Sequence, residues 1–341
     1  MTRSLPLTRA ALTALCTGLL AGCDSYADPC FAPQSVVSDR RILAVAAEPP
    51  EARIDPTTGI AEPVSLRALV VEPFFQSQSV HASWSFCPVD AVQAFCPPAA
   101  VSSTEDQWTP HSTALLVASP ELIAAAVAAD PLRGLRGIKL RAGLEVSGAS
   151  PAQATSLVRL TRSNTPVNHS PRLQGVRLLR EIGGTPELID SNGLISLTVG
   201  KTIGLRPVLA PDAIEEYDTL DLNGNPIHLR EHLTYSFYAD STLFFGQLLG
   251  TQLGGQGVEV YSGVDGSQAD EPDGAAEPPL GLVAVSGVHA GGSSGVLWIV
   301  VRDSRGGTSW AELHYRSVEE RPACLGPLPH FGCPKLDLAC Q

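Results

Sequence analysis

Apolar and polar residues alternate strictly along several short stretches of this chain, and this pattern most constrains its fold. Between residues 80 and 86 every second residue is apolar, and the residues between them are His or Ser. Residues 138–146 repeat the pattern, and a Gly-Ala-Ser-Pro turn leads from them into another alternating run. Because successive side chains of a strand point to opposite faces, the pattern predicts half-buried strands paired in hairpins.

The second part of the chain repeats the first. Residues 64–70 resemble residues 203–209, and the triplet at 84–86 resembles that at 235–237, in the same order. The last alternating hairpin of the first part recurs between residues 296 and 315. An aromatic residue on an early strand, short strands and a closing hairpin fit an immunoglobulin-like sandwich. We therefore predict an all-β chain with two tandem Ig-like β-sandwich domains.

The predicted organisation also includes segments outside these domains. Ser119 and Pro120 precede an alanine-rich run and predict a short helix, because Ser is a favoured N-cap and Pro a favoured first helical residue. The predicted boundaries are a signal peptide at 1–22, a lipidated tether at 23–40, domain 1 at 41–163, a linker at 164–171, domain 2 at 172–318 and a Cys/Pro-rich tail at 319–341.

The N-terminal residues predict a targeting signal. Arg3 and Arg9 precede a short apolar run that ends in Leu-Ala-Gly-Cys at residues 20–23, which resembles the lipobox of bacterial lipoproteins. The resemblance implies cleavage before Cys23 and acylation of that cysteine, which would anchor the protein to a bacterial membrane. A plain secretory signal with a chance cysteine is the alternative. The sequence leaves open whether the protein is periplasmic or at the cell surface, and which membrane holds it.

The charge balance disfavours nucleic acid as a partner. The chain has 23 basic and 35 acidic residues, and removal of the predicted signal takes away two arginines, which leaves a net charge of −14. Binding along a phosphate backbone needs clustered Lys and Arg, whereas this chain has three lysines, Lys139, Lys201 and Lys335, and scattered arginines. The length suits about two domains.

Six cysteines remain after cleavage and lipidation, and an oxidising compartment favours disulfides among them. Cys87 ends a strand-like run and Cys96 lies a short loop away, so we predict that these two pair. The pairing of the others is left open; they are Cys30, Cys324, Cys333 and Cys340. A metal site using the last three with His330 lacks the paired short spacings of structural zinc sites.

The densest oxygen-rich segment offers two interpretations. Asp218, Asp221, Asn223 and Asn225 present oxygen ligands at close spacing, as a calcium site requires. The spacing departs from that of a calcium-binding EF-hand loop, and Asn-Gly at 223–224 is a preferred pair for a tight hairpin turn. We favour the turn and predict no metal and no cofactor.

The sequence offers few other candidates for catalytic or binding residues. Gly-Gly-Ser-Ser-Gly around Ser293 matches the pattern of a nucleophile elbow, but an apolar strand follows it where that motif needs a helix. Trp298 and Trp310 flank a predicted hairpin and are candidate exposed aromatics for a recognition surface, with packing at an edge strand as the alternative.

Two stretches carry a family resemblance. Residues 30–50 include Cys30, Ser-Val-Val at 35–37 and Arg-Ile-Leu-Ala-Val at 41–45, and residues 298–310 include Val-Arg-Asp and Arg-Gly-Gly. Both stretches resemble a family of uncharacterised bacterial lipoproteins with tandem immunoglobulin-like domains. The resemblance implies no reaction. We expect a non-enzymatic, membrane-anchored lipoprotein that binds or displays a protein or glycan partner in the cell envelope. The alternatives are a secreted hydrolase with a site in the loops of domain 2 and a purely structural spacer.

Overall fold

The residues that the structure describes lie mostly in β-strands, with one helix among them, which confirms the prediction that the chain is all-β. The computed structural model describes residues 36–37, 39–72, 81–89, 95–97, 101–105, 112–148, 150–162, 167–180, 185, 187–198, 201, 203–240, 244–247, 258–262, 283–286 and 294–319. All of these lie within one compact unit, Gln34–Gln341. The predicted signal peptide, Cys23, Cys30, Ser293 and the C-terminal cysteines lie outside the described residues. No described helix is long and apolar enough to cross a membrane.

Residues 39–162, here called the first half, form two sheets and one helix, which packs one side against the core. A short strand, β1 (Val36–Val37), precedes them. The strands of the first half are β2 (Arg41–Glu48), β3 (Glu51–Arg53), β4 (Val64–Val71), β5 (Ala82–Pro88), β6 (Val101–Glu105), β7 (Thr113–Leu116), β8 (Ile138–Val146) and β9 (Ala152–Thr161). One sheet has the order β2-β4-β7, and the other has the order β3-β9-β8-β5-β6.

Residues 167–319, the second half, form two larger sheets and a separate hairpin. The strands are β10 (Leu173–Leu179), β11 (Glu187–Asp190), β12 (Leu194–Thr198), β13 (Ile203–Leu209), β14 (Glu216–Leu220), β15 (Pro226–Arg230), β16 (Leu233–Asp240), β17 (Phe244–Gln247), β18 (Val258–Ser262), β19 (Val283–Ser286), β20 (Ser294–Asp303) and β21 (Thr308–Val318). One sheet has the order β11-β10-β13-β19-β17, and the other runs β1-β16-β20-β21-β12 with β18 also on β16.

The two halves repeat the same pairing pattern. In the first, β4 lies between antiparallel β2 and β7, while β3 pairs in parallel with the last strand, β9. In the second, β13 lies between antiparallel β10 and β19, and β12 pairs in parallel with the last strand, β21. The hairpins β8–β9 and β20–β21 occupy equivalent places, next to β5 and β16. The repeat found in the sequence is therefore a repeat of topology.

Each half has its own apolar core, filled by the inward side of the alternating strands. Trp84 is fully buried, faces Leu144 across the β5–β8 ladder, and donates its indole N–H to Ser112 Oγ at 3.1 Å. Tyr235 is the equivalent buried aromatic of β16 and faces Val301. A buried aromatic residue at the place that β5 and β16 occupy is typical of immunoglobulin-like sandwiches.

The predicted helix is confirmed as α1 (Pro120–Ala129). Ser119 caps it by accepting a hydrogen bond from the backbone N–H of Leu122, and Pro120 occupies the first turn, where its missing N–H costs nothing. Ile123 and Ala126 bury the inner side of the helix against the core of the first half.

The predicted disulfide between Cys87 and Cys96 is confirmed, with the two Cα atoms 5.6 Å apart. Cys87 stands on the buried strand β5, so the bond ties the following loop to the core of the first half.

Replacing both cysteines with serine is expected to lower the free energy of unfolding by about 2.5 kcal/mol, because the open loop gains conformational entropy in the unfolded chain. Urea titration of the two proteins measures the difference. An unchanged unfolding midpoint would contradict a stabilising role, and the wild-type protein under reducing conditions is the matched control.

Candidate functional site at the junction of the two halves

A third apolar cluster joins the two halves. This junction cluster consists of Val37, Leu43, Ala44, Leu69, Val71, Trp298 and Val300. Strands β2 and β4 supply it from the first half, and β20 supplies it from the second. Leu297, Ile299 and Val301 on the opposite side of β20 fill the core of the second half. This strand is covered on both faces, which explains its nearly continuous apolar sequence.

The turn between β20 and β21 is held by its own aspartate. Asp303 accepts hydrogen bonds at 2.8 Å from the backbone N–H groups of Arg305 and Gly307. A Cβ on Gly307 would come within 2.1 Å of the Asp303 carboxylate and 3.0 Å of the Ser170 backbone, so only glycine fits there. The Arg-Asp-Ser-Arg-Gly-Gly stretch is therefore a shaped turn that directs Arg305 toward the junction.

Arg305 is the centre of a buried ionic network that spans the junction. Its side chain is 5% exposed, and its guanidinium forms a short salt bridge with Glu51 of β3 in the first half. The other terminal nitrogen lies 3.2 Å from Glu215 and 3.5 Å from Glu231 in the second half. The cation also lies over the ring of Tyr217, 4.3 Å from its centre. We call Arg305, Glu51, Glu215 and Glu231 the Arg305 network.

The connection between the halves is part of the same site. Asn168 is fully buried, donates its backbone N–H to Glu51 at 3.1 Å, and donates its side-chain amide to Asp303 at 3.2 Å. His169 bonds Glu215 at 2.7 Å. Ser309 donates to the carbonyl of Pro171 at 2.5 Å. The predicted linker is thus bonded on both sides where the structure describes it, which fixes the two halves relative to each other.

Burial and crowding of carboxylates perturb two acids of the site. Burial, followed by the charge of Asp303, raises the pKa of Glu231 to about 7. Burial also raises the pKa of Asp303, although hydrogen bonds from the backbone of Arg305 and Gly307 oppose this effect. Glu231 and Asp303 therefore bind a proton more readily than exposed carboxylates do.

The stability of the protein is expected to fall as pH rises from about 4.5 to 7. In this window the folded protein keeps a proton on Glu231 that the unfolded chain releases, so unfolding is favoured as pH increases. This shift in the pKa of Glu231 corresponds to a free energy of unfolding that is lower by about 3 kcal/mol at pH 8. Glu231→Gln should flatten the pH profile of unfolding, whereas Glu187→Gln, at an exposed ion pair, should leave it unchanged. A profile with the same slope in Glu231→Gln would contradict this assignment.

A groove of about 1250 Å³ lies between the halves beside the Arg305 network. Its lining carries both signs of charge: Arg67, Arg136 and Arg159 come from the first half, and Glu215, Glu216 and Asp218 come from the second. Arg67 also lies over the ring of Trp310, 5.2 Å from its centre. This junction groove is the candidate functional site, because a concave polar surface on a fixed framework can hold a ligand.

The hairpin β14–β15, here called the arm, borders the junction groove. Glu231 holds its base, since its backbone N–H donates to the carbonyl of Glu215 at 2.9 Å and its side chain accepts from the N–H of Glu215 at 3.1 Å. Near the other end, Arg136 of the first half donates to the carbonyl of Leu220 at 2.9 Å. The arm therefore contacts both halves.

The oxygen-rich segment forms the tip of the arm, as the turn interpretation predicts. Asp221 accepts hydrogen bonds from the backbone of Asn223 and Asn225 and from the side chain of Asn225, at 2.8 to 3.0 Å. The side-chain and backbone bonds of Asn225 lower the pKa of Asp221 most. Gly224 has a φ of +84°, which suits glycine at this place in the turn. Asp218 points elsewhere, to His228 at 2.9 Å.

Calcium is expected to leave the melting temperature of the protein unchanged. Both carboxylate oxygens of Asp221 are already bonded within the turn, and Asp218 is paired with His228. The measurement compares thermal melts in millimolar calcium and in chelator. A higher melting temperature in calcium, lost in Asp221→Asn, would contradict the turn interpretation.

The two tryptophans proposed for recognition are packing residues in the structure. Trp298 is 6% exposed in the junction cluster, so the expectation that it is exposed is wrong. Trp310 packs against the same cluster. The reason is that β20 and β21 face the first half, which the sequence of one hairpin does not reveal. The structure shows the packing role of the alternative but not its place, because β20 and β21 each have a neighbouring strand on both sides and are not edge strands.

Comparisons with known proteins add no identification. No family model and no curated protein matches the chain. Among solved structures, red sea bream transglutaminase is 10% identical over 84% of this chain and 30% of its own, with a TM-score of 0.20. A structure from a 1.5-MDa bacterial ice-binding adhesin is 10% identical over 84% and 99%, with a TM-score of 0.21. The C-terminal domain of BspA from Streptococcus agalactiae is 7% identical over 81% and 99%, with a TM-score of 0.20. Likenesses this low carry no argument about function.

Proposed function

We propose that this protein is a non-enzymatic, membrane-anchored lipoprotein that presents a fixed pair of immunoglobulin-like β-sandwich domains in the cell envelope. It would bind or display a protein or glycan partner. The lipobox-like stretch at residues 20–23 supports the anchor, with Cys23 as the lipidated residue. The buried aromatics Trp84 and Tyr235 and the repeated strand pairings support two immunoglobulin-like domains.

The observation that carries the proposal is the bonding across the junction. The junction cluster and the Arg305 network join the two halves through both apolar and ionic contacts. Two domains joined by a flexible linker would need neither the apolar nor the ionic contacts. A fixed junction keeps the groove and the arm in one geometry, and a preformed surface loses less conformational entropy when a partner binds.

The anchor is tested by fractionating the producing bacterium. Wild-type protein is expected in the membrane fraction with a triacylated N-terminal cysteine, visible by mass spectrometry of the mature N-terminus. A Cys23→Ser variant is expected in the soluble envelope fraction. Wild-type protein with an unmodified thiol at Cys23 would contradict lipid anchoring.

The binding role is tested with a photocrosslinking residue in the anchored protein. Placed at Thr219 in the junction groove, it should yield a defined adduct with an envelope protein or glycan on irradiation. The control places the same residue at Leu194, which is 67% exposed on β12 and outside the groove lining. Adducts of equal yield and pattern from both positions, or none from Thr219, would contradict a groove that binds and would favour a structural spacer.

A further inference from the structure

We propose that the outer edge of the arm strand β14 binds an extended peptide with basic side chains at alternating positions, by adding it as a third strand. This inference rests on the proposed binding function and specifies the ligand class. Peptides commonly bind in this way where a sheet edge presents unpaired backbone groups. Three features of the arm favour this pairing: its register, its proline and its charges.

The register of the arm shows which backbone groups point outward. The backbone bonds between Asp221 and Asn225 and between Glu231 and Glu215 mark the hydrogen-bonded pairs. Such pairs alternate with non-bonded pairs along an antiparallel ladder. Glu216, Asp218 and Leu220 are therefore at non-bonded positions, with N–H and C=O directed away from β15. Within the part of the chain that the structure describes, β14 pairs with no strand other than β15.

Of the two edges of the arm, that of β14 is better suited to pairing. On β15 the first outward position is Pro226, which has no N–H to donate and is a residue that blunts sheet edges. The edge of β14 carries no proline and borders the junction groove over its whole length. One outward group is already in use by a cation, because Arg136 donates to the carbonyl of Leu220. The outward backbone groups of Glu216 and Asp218 come next along the same edge of β14.

The charges of the arm favour a peptide with basic side chains. Glu216 and Asp218 project from the same face of β14, with side chains 62% and 74% exposed. On the β15 side their direct neighbours are Arg230 and His228, and His228 contacts both carboxylates. A strand on the open side would meet the same two acids, so Lys or Arg at alternating positions is favoured. A second copy of β14 would bring acids against acids, which disfavours self-pairing.

The test uses a fluorescein-labelled peptide of alternating Lys and Thr and a control peptide of alternating Glu and Thr, with the detergent-solubilised full chain. Fluorescence anisotropy should show binding of the basic peptide and not of the acidic one. Asp218→Pro removes an outward N–H without breaking a backbone bond between β14 and β15, and should weaken binding about tenfold relative to Asp218→Asn, which removes the charge and keeps that N–H. Arg230→Pro, on the opposite edge, should not weaken it.

A second measurement does not depend on a proline variant folding. Residue-resolved hydrogen exchange of the wild-type chain should show that the peptide protects the amides of Glu216, Asp218 and Leu220. The amides of Tyr217 and Thr219, at bonded positions, should change little. Absent binding, binding without this alternating protection, or the same protection from self-association without peptide would overturn the inference. A glycan that crosslinks in the groove while no peptide binds would also overturn it, and would leave the proposed function standing.

Discussion

Replacing Arg305 with alanine is expected to lower the free energy of unfolding at pH 8 by about 3 to 5 kcal/mol, because it leaves several buried carboxylates without their cation. Glu51 and Glu231 are both buried, and each faces the guanidinium. Lysine should not rescue the loss, since an ammonium group cannot present two nitrogens to carboxylates on opposite sides of the junction. Chemical denaturation of the three proteins at pH 8 measures the effect.

The pH dependence of this decrease in the free energy of unfolding distinguishes an ionic role of Arg305 from a packing role. At pH 5 Glu231 is protonated in the folded protein, so the deficit of Arg305→Ala should shrink. Arg180→Ala is the matched control, because Arg180 pairs with Glu187 at the exposed surface and such pairs contribute about 0 to 1 kcal/mol. Equal losses in the two variants, or a loss that does not depend on pH, would show that the Arg305 network contributes little.

Trp298→Ala is expected to lower the free energy of unfolding by about 3 to 5 kcal/mol, because it opens a cavity in the junction cluster. The indole N–H also donates to Glu312 at 3.3 Å, and this bond is lost with it. Trp298→Phe should recover part of the loss by filling most of the volume. Urea titration gives the values.

The control for Trp298 is an exposed apolar residue of the same half. Leu194→Ala should change the free energy of unfolding by less than about 0.5 kcal/mol, because the side chain is already in contact with water. If Trp298→Ala were as stable as Leu194→Ala, the junction cluster would not hold the halves together, and the two would be independent modules.

The strands were predictable because their signal is local. Alternation at residues 138–146 fixes which side chains face inward, and the β8–β9 ladder follows from it. Ser119 and Pro120 predict the start of α1 in the same way, and the short loop between Cys87 and Cys96 predicts their disulfide. In each case the residues that decide the structure lie within about ten positions of one another in the chain.

The candidate site was not predictable because its residues are far apart in sequence. Arg305 and Glu51 are separated by 254 positions, and Asn168 and Asp303 by 135. A local pattern cannot show that these side chains meet. The signals that existed were the Val-Arg-Asp and Arg-Gly-Gly motifs around residues 301–307, which predicted family membership and not the turn that places Arg305 at the junction.

Residues at the edge of the predicted domains also took unexpected roles. Val36 and Val37 lie within the predicted tether, but they form β1 and pair in parallel with β16 of the second half. Arg40, also within the predicted tether, is 5% exposed and pairs with Glu72 at 2.9 Å. A two-residue strand and a single buried arginine have no sequence period, so only the fold reveals them.

The most direct test of the fixed junction is a distance measurement between the halves in solution. Spin labels carried by noncanonical amino acids at Glu145 and Leu194, both exposed, report on the first and second half. Pulsed dipolar spectroscopy should give one narrow distance distribution for the wild-type chain and a broad one for the Arg305→Ala, Trp298→Ala double variant. A broad distribution in the wild-type chain would contradict the fixed junction on which the proposed binding site depends.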